Sequence, residues 1–343
     1  MGAGEVMGRV RTYLMLGRVM SAMLTAGIAV VGSCSSTTMP TLKDFIGFLI
    51  LGFFFHAFGG AFNEICDYEL DSLVPEISHK PLVSGKVTMK GAFAFVLLTI
   101  FAPLIALAYF FPKPMAIVFF ALSYAMAAYY DYKGKYTPMA FELALGATFF
   151  LWAYFGAFAT GRPTPLTAVV ATFIFLFAVY INWGNAMKDV ETDRMLKVPT
   201  RPVVWGYRHH HKITIRDPNA QYAIAIKGAQ FATYLMPFIF YLYFPQQFQF
   251  RHIYYSLPLY VWIFIIIGIP TQGYVIYKIF GRHTRVEWTD YIVMDIMLTW
   301  FLFPFLVVDK IGVLYALGLF FLPFLWFMLV VYALYGTFMR PGL

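Results

Sequence analysis

Apolar residues in this chain gather into runs of about 20, long enough for a helix to cross the hydrocarbon of a bilayer. About ten follow one another, at 13–33, 44–66, 91–111, 114–130, 138–160, 164–187, 220–244, 253–280, 291–308 and 311–338. Short turns separate several of them, such as Pro112-Lys113-Pro114 and Gly161-Arg162-Pro163. Two connections are long and polar: 67–90, and 189–219 with its His209-His210-His211 run. The pattern predicts an all-α integral membrane protein with about nine to ten transmembrane helices. Within the second run, the small patch Gly59-Gly60-Ala61 predicts close approach of a neighbouring helix.

The polar end of that second run carries Asn63, Asp67 and Asp71. Steps of four keep the three side chains on one helix face, over a climb of about 12 Å. A second copy, Asn185, Asp189 and Asp193, follows at a constant offset of 122 residues. The tails also correspond: Lys80-Pro81 leads to Gly85, and Arg201-Pro202 leads to Gly206. A repeat of this length holding four crossings returns the chain to the same side of the membrane. The halves are then parallel, related by an axis near the membrane normal. This divides the chain into a first four-helix repeat (1–135), a second (136–285) and a C-terminal hairpin (286–343) packed against the bundle. Both acidic triplets fall at the same end and can face each other across a central cavity.

Composition supports a lipid solvent, because 61% of the 343 residues are hydrophobic and only 12% charged, against about 25% charged in soluble domains. The mean hydropathy is +0.70. With the first helix starting in the cytoplasm, 20 of the 25 lysines and arginines fall on the cytoplasmic side. Cytoplasmic loops favour these residues, so both termini are expected inside. The net charge of +8 then reports orientation and an anionic substrate. No aromatic-basic pattern or zinc spacing accompanies it, so no nucleic-acid partner is expected. The start, Met1 to Val6, matches neither a cleavable signal nor a myristoylation pattern. Cys34 and Cys66 lie in runs at opposite faces, and no disulfide between them is expected.

Carboxylates at the ends of membrane helices are costly without partners. Four converging aspartates repel one another and invite divalent cations. An oxygen-only donor set with few protein atoms per ion suits Mg²⁺, which keeps waters and shares its shell with substrate phosphates. Asn63 and Asn185 add neutral oxygens, and Lys80, Lys133, Lys188, Arg194 and Arg201 supply cations for a phosphate group. Acids, metal and bases at the mouth of an apolar bundle suggest a lipid diphosphate, its head on the metals and its tail among aromatics. Aromatics are 20% of the chain.

Asn63-x-x-x-Asp67-x-x-x-Asp71 with Lys80-Pro81-x-x-Ser84-Gly85, and Asp189-x-x-x-Asp193-Arg194, resemble the two signatures of the UbiA superfamily of intramembrane prenyltransferases. Tyr129-x-x-x-Lys133 is similar to a third, weaker pattern. The resemblance implies a helical bundle that transfers an isoprenyl group from a polyprenyl diphosphate to a hydrophobic or amphipathic acceptor. It also implies two Mg²⁺ ions bridging the diphosphate, held by Asn63, Asp67, Asp71, Asn185, Asp189 and Asp193. Lys133 and Arg194 would contact diphosphate oxygens, and Lys80, Tyr129, Lys188 and Arg201 complete the expected substrate set. Lys80 stands where the family usually has Arg, a point charge in place of a bidentate fork. Among acceptors of similar enzymes, the surplus cations favour a glycerol-phosphate ether lipid, as in digeranylgeranylglyceryl phosphate synthesis. An aromatic acid or quinone precursor is the alternative.

Two other classes share parts of the pattern. A secondary transporter also uses parallel repeats around polar residues, but it favours mid-helix charges and a pathway open on both faces. A metal-dependent lipid phosphatase would release free prenol. Several conspicuous residues have plainer readings: His209 to His211 as a solvated loop, and His56 as a hydrogen-bonded packing residue. Arg282, His283 and Arg285 read as orientation signals, and Glu142 either as an acceptor base or as an interhelical hydrogen-bond partner.

Overall fold

A computed structural model describes residues 3–74, 77–137, 141–243 and 262–336. Its long elements are helices: α1 (Ala3–Leu16), α2 (Ala22–Cys34), α3 (Leu42–Asp71), α4 (Met89–Phe110), α5 (Pro114–Tyr132), α6 (Phe141–Thr160) and α7 (Pro165–Lys188). The short α8 (Val190–Met195) and α9 (Arg201–Val204) lead to α10 (Pro218–Tyr243) and α11 (Ile269–Ile279). The chain closes with α12 (Arg285–Leu302), the short α13 (Val308–Ile311) and α14 (Val313–Tyr335). Beside them is one isolated antiparallel bridge, Ile213 to Gly281.

Six described helices are long and apolar enough to cross a membrane. They become seven if α1 and α2, bent by 65° at a short break, count as one span. The expectation of nine to ten is therefore met only in kind among the described residues. The first run, expected as one helix, is divided at Gly17–Ser21, where Arg18 takes a left-handed conformation (φ 49°). The eighth run, at 253–280, lies partly outside the described residues. The connection 189–219, expected as loop, contains α8 and α9.

Local sequence sets the helix starts. Thr41 and Asp44 form a capping box at the head of α3, as do Thr284 and Glu287 at α12, each satisfying N–H groups that the helix leaves open. Proline opens α5 and α7 at the first turn, where no N–H is needed. Small residues set the packing distances. A Cβ on Gly32 or Gly156 would run into the backbone of Ala153 or Ala29, so α2 and α6 touch backbone to backbone. Gly60 does the same for α3 against the α1–α2 break, facing Gly17 and Arg18, whereas Gly59 faces open space. The close approach anticipated at 59–61 thus rests on Gly60, and it brings the Arg18 turn against the acidic end of α3.

One large apolar core joins α2, α3, α5, α6 and α7, with Phe55, Phe120, Trp152 and Phe155 fully buried inside it. A second gathers the end of α7 with Tyr207, α10, α11 and α12 around Trp183 and Trp288. The aromatics below the first triplet are spent on this packing. Phe55 stacks on Trp152 at 4.3 Å and Phe58 on Phe62 at 5.5 Å. Among the described residues, the aromatics lining the cavity described below are tyrosines: Tyr130, Tyr136 and Tyr335.

Candidate active site

The first triplet lies on one unbroken helix, since α3 continues through Asp71. The second is interrupted. Helix α7 ends at Lys188, Asp189 leaves helical geometry (φ −97°, ψ 11°), and Asp193 follows on α8. Bonds from Asp189 N to Asn185 O and from Asp193 N to Asp189 O nevertheless keep the four-residue register. Both tails fold into the same turn. Ser84 N donates to Lys80 O and Gly85 N to Leu82 O, and Trp205 N to Arg201 O and Gly206 N to Val203 O repeat the pattern. Each turn closes on a glycine with positive φ, 72° at Gly85 and 75° at Gly206, a backbone region that side chains disfavour.

Asn63, Asp67, Asp71, Lys80, Asn185, Lys188, Asp189 and Asp193 all line one cavity of about 450 Å³. The first tail folds back over it. Lys80 Nζ meets Asp71 Oδ2 at 2.5 Å, and Leu82 N donates to buried Glu64. Burial first, and then the nearby Arg18 charge, lower the Lys80 ammonium below the usual lysine range, while Asp71 opposes the shift. The second tail does this only in part, with Thr200 Oγ1 donating to Asp193 at 3.0 Å.

Four expected site residues are placed outside this wall. Arg201 turns into the protein, pairs with Glu142 at 2.8 Å and lies over the Tyr222 ring. Glu142, which accepts from Tyr222 as well, is an interhelical bonding partner of α9 and α10. Arg194 bonds Glu191 and the carbonyl of Tyr207. Tyr129 and Lys133 are exposed. The next residue, Tyr130, reaches the cavity and donates to Asn182 Oδ1 at 3.0 Å. One residue turns a helix by about 100°, which is enough to exchange the two tyrosines.

Two cations from outside the motifs also line the cavity: Arg18, and Arg285, whose sequence reading is an orientation signal. Arg18 lines the cavity and donates to Asn63 Oδ1 at 2.9 Å. Its left-handed backbone is held by His56, whose Nε2 donates to Arg18 O while Nδ1 accepts from Thr25. Asn63 completes the link by donating to Asp131 Oδ1. Arg285, the first residue of α12, reaches Asp189 Oδ1 at 3.0 Å, and Lys188 lies 3.5 Å from its other oxygen. The head of α12 and Tyr335 at the end of α14 therefore supply part of the cavity wall. Asn182, three residues before Asn185 on α7, and His79 also line it. A polar residue one turn from a motif position is the sequence signal that could have found Asn182.

Among the described residues, no three of the acidic, His or Cys side chains converge as a preformed metal cage. The donor chemistry still fits Mg²⁺: two pairs of carboxylates open on one cavity, and this ion needs only one or two carboxylates when phosphate oxygens and water complete its shell.

A model of the UbiA prenyltransferase family matches residues 22–272. A 4-hydroxybenzoate octaprenyltransferase from Alkalilimnicola ehrlichii is 28% identical over 173 residues, 49% of this chain and 57% of that protein. A digeranylgeranylglyceryl phosphate synthase from Pyrococcus furiosus is 27% identical over 168 residues, 49% and 59% of the two chains. The chain thus spans less than two thirds of the curated relatives it matches. Among solved structures, a digeranylgeranylglyceryl phosphate synthase has a TM-score of 0.65 at 16% identity, covering 89% of this chain and all of that one. A UbiA homologue from Archaeoglobus fulgidus bound to GPP and Mg²⁺ has a TM-score of 0.62 at 15% identity, covering 86% and 99%. These two establish a shared fold.

Proposed function

This chain belongs to the UbiA prenyltransferase family, and from that premise we propose that it transfers an isoprenyl group from a polyprenyl diphosphate to a lipid or quinone-precursor acceptor, with Mg²⁺. The observation that carries the reading is the joint opening of both acidic triplets on one cavity. Asp67 and Asp71 from α3, with Asp189 and Asp193 from α7 and α8, are the proposed metal-holding carboxylates. When bound, Mg²⁺ stabilises charge developing on the leaving diphosphate.

The chain's own groups do the rest. Lys80 and Lys188 sit beside the acids and offer ammonium donors to diphosphate oxygens. Arg18 holds the Asn63 amide, so the first triplet starts from a fixed geometry. Preorganised donors of this kind lower the barrier because they do not have to reorient during bond breaking. Loss of diphosphate leaves an allyl cation, and the Tyr130 and Tyr136 rings offer π faces that stabilise it and displace competing water. Attack by the acceptor's nucleophilic oxygen or ring carbon then forms the new bond, with the acceptor's proton released to water or to the departing diphosphate, so no covalent enzyme intermediate is required.

The cavity is proposed to open at the cytoplasmic membrane surface, on the balance of lysine and arginine. For the acceptor, a glycerol-phosphate ether lipid is the first choice, and a 4-hydroxybenzoate-like aromatic acid the second. Both carry an anionic group suited to the surrounding cations. Mass spectrometry after incubating purified protein with geranylgeranyl diphosphate, Mg²⁺ and these acceptors tests the proposal. A prenylated acceptor supports it. Free prenol alone, or unchanged diphosphate, overturns it.

A further inference from the structure

Arg285 lies outside both repeated motifs, yet it is delivered to the cavity by a well-defined local structure. The Thr284–Glu287 capping box fixes the first turn of α12. The preceding loop is tied down by the Ile213–Gly281 bridge and by His210 N donating to the carbonyl of His283. From there the guanidinium reaches Asp189 Oδ1, while its side chain keeps 42% of its surface accessible. A cation needed only to neutralise Asp189 would be redundant, since Lys188 already lies beside the other carboxylate oxygen.

Charge in the cavity gives this pair a direction. Among the described lining residues there are five carboxylates and four lysine or arginine cations. A cation bonded to a carboxylate competes with any metal ion for that oxygen. The same cation attracts a diphosphate once the metal has taken the carboxylate. Arginine suits both partners, because its planar fork matches carboxylate and phosphate geometry.

Resting on the proposed diphosphate-binding role of this cavity, we infer that Arg285 is an exchange cation. It neutralises Asp189 before loading and passes to a diphosphate oxygen when the metal–diphosphate head enters. This makes Arg285 a diphosphate-binding residue supplied by the head of α12.

The inference requires metal and diphosphate affinities to respond to Arg285→Gln in opposite directions. Mn²⁺ binding to the full-length purified protein, followed by electron paramagnetic resonance without any substrate, should tighten by roughly two- to fivefold, the scale of releasing a partly exposed ion pair. Inorganic diphosphate binding at saturating Mg²⁺, followed by calorimetry, should weaken by about tenfold or more, the scale of a lost charge-assisted hydrogen bond. Arg285→Lys keeps the charge and should leave Mn²⁺ affinity near the parent value. Unchanged affinities, or two that move in the same direction, reduce the pair to a surface salt bridge and overturn the inference. An unfolded Arg285→Gln protein, seen in its melting curve, would also overturn it, by making the contact structural. If the parent protein binds neither Mn²⁺ nor diphosphate, the functional reading falls together with the inference. Parent binding with an indifferent variant removes the inference alone.

Discussion

Lys227 on α10 and Asp295 on α12 form an ion pair with no solvent exposure on either side chain, 2.5 Å apart. Lys227 also donates to Gln230 and Thr299 and lies 4.1 Å from the centre of the Tyr180 ring. Thr299 Oγ1 donates to the same Asp295 oxygen and accepts from Gln272 of α11. The network therefore joins α7, α10, α11 and α12, the helices that carry Asn185 and Arg285 to the cavity. Removing one member leaves the other charged and buried, at a cost of about 3–5 kcal/mol. Replacing both by apolar residues of similar volume removes the pair together with its desolvation penalty, and is often neutral or stabilising. We therefore expect Lys227→Met and Asp295→Leu each to lose about 3–5 kcal/mol and the double variant to lie near the parent, so that the coupling is about as large as the two single losses together. Equilibrium unfolding in denaturant, followed by tryptophan fluorescence of purified protein, measures all four corners of the cycle. Single variants within about 1 kcal/mol of the parent, or a double variant as unstable as the worse single, would refute the reasoning.

Three further outcomes test separate parts of the structure. Gly156→Val should lower the melting temperature and cost about 1–3 kcal/mol, because its side chain meets the Ala29 backbone of α2; an unchanged melting curve would deny that contact. Lys80→Ala should reduce turnover by about tenfold or more, the scale of a lost charge-assisted hydrogen bond, whereas Lys133→Ala, on an exposed side chain away from the cavity, should stay within about threefold. The reverse order in a steady-state assay would restore the tyrosine–lysine pattern to the site. Asn63→Asp should fall further in turnover than Asn63→Ala, because it sets a carboxylate against Asp131 where an amide donor now bonds it; equal losses would show that this bond is not used.

The acidic triplets and their turns were legible because helical spacing and tight-turn chemistry are local. Asn63, Asp67 and Asp71 share a face by spacing alone, and Gly85 and Gly206 occupy the left-handed positions that close both turns. What stayed hidden depends on distant partners. Arg201 has the same local setting as Lys80, yet Glu142, 59 residues away, draws it out of the cavity. Arg18 and Arg285 carry the basic signature that also marks membrane orientation, so sequence could not separate a cavity cation from a topology signal. Only the packing of Gly60 on the Arg18 turn and the placement of α12 beside Asp189 do that. The exchange of Tyr129 for Tyr130 reflects helix phase, which a weak pattern at a helix end leaves undefined.

Transfer from a radiolabelled polyprenyl diphosphate at saturating Mg²⁺, in the parent, Asp67→Asn, Asp189→Asn and the double variant, tests most directly whether the two triplets act on one diphosphate. The expected result is near-complete loss in each single variant and no further loss in the double, the non-additivity of groups that work as a unit. Near-normal turnover in either single variant, with losses that multiply in the double, would contradict a shared site.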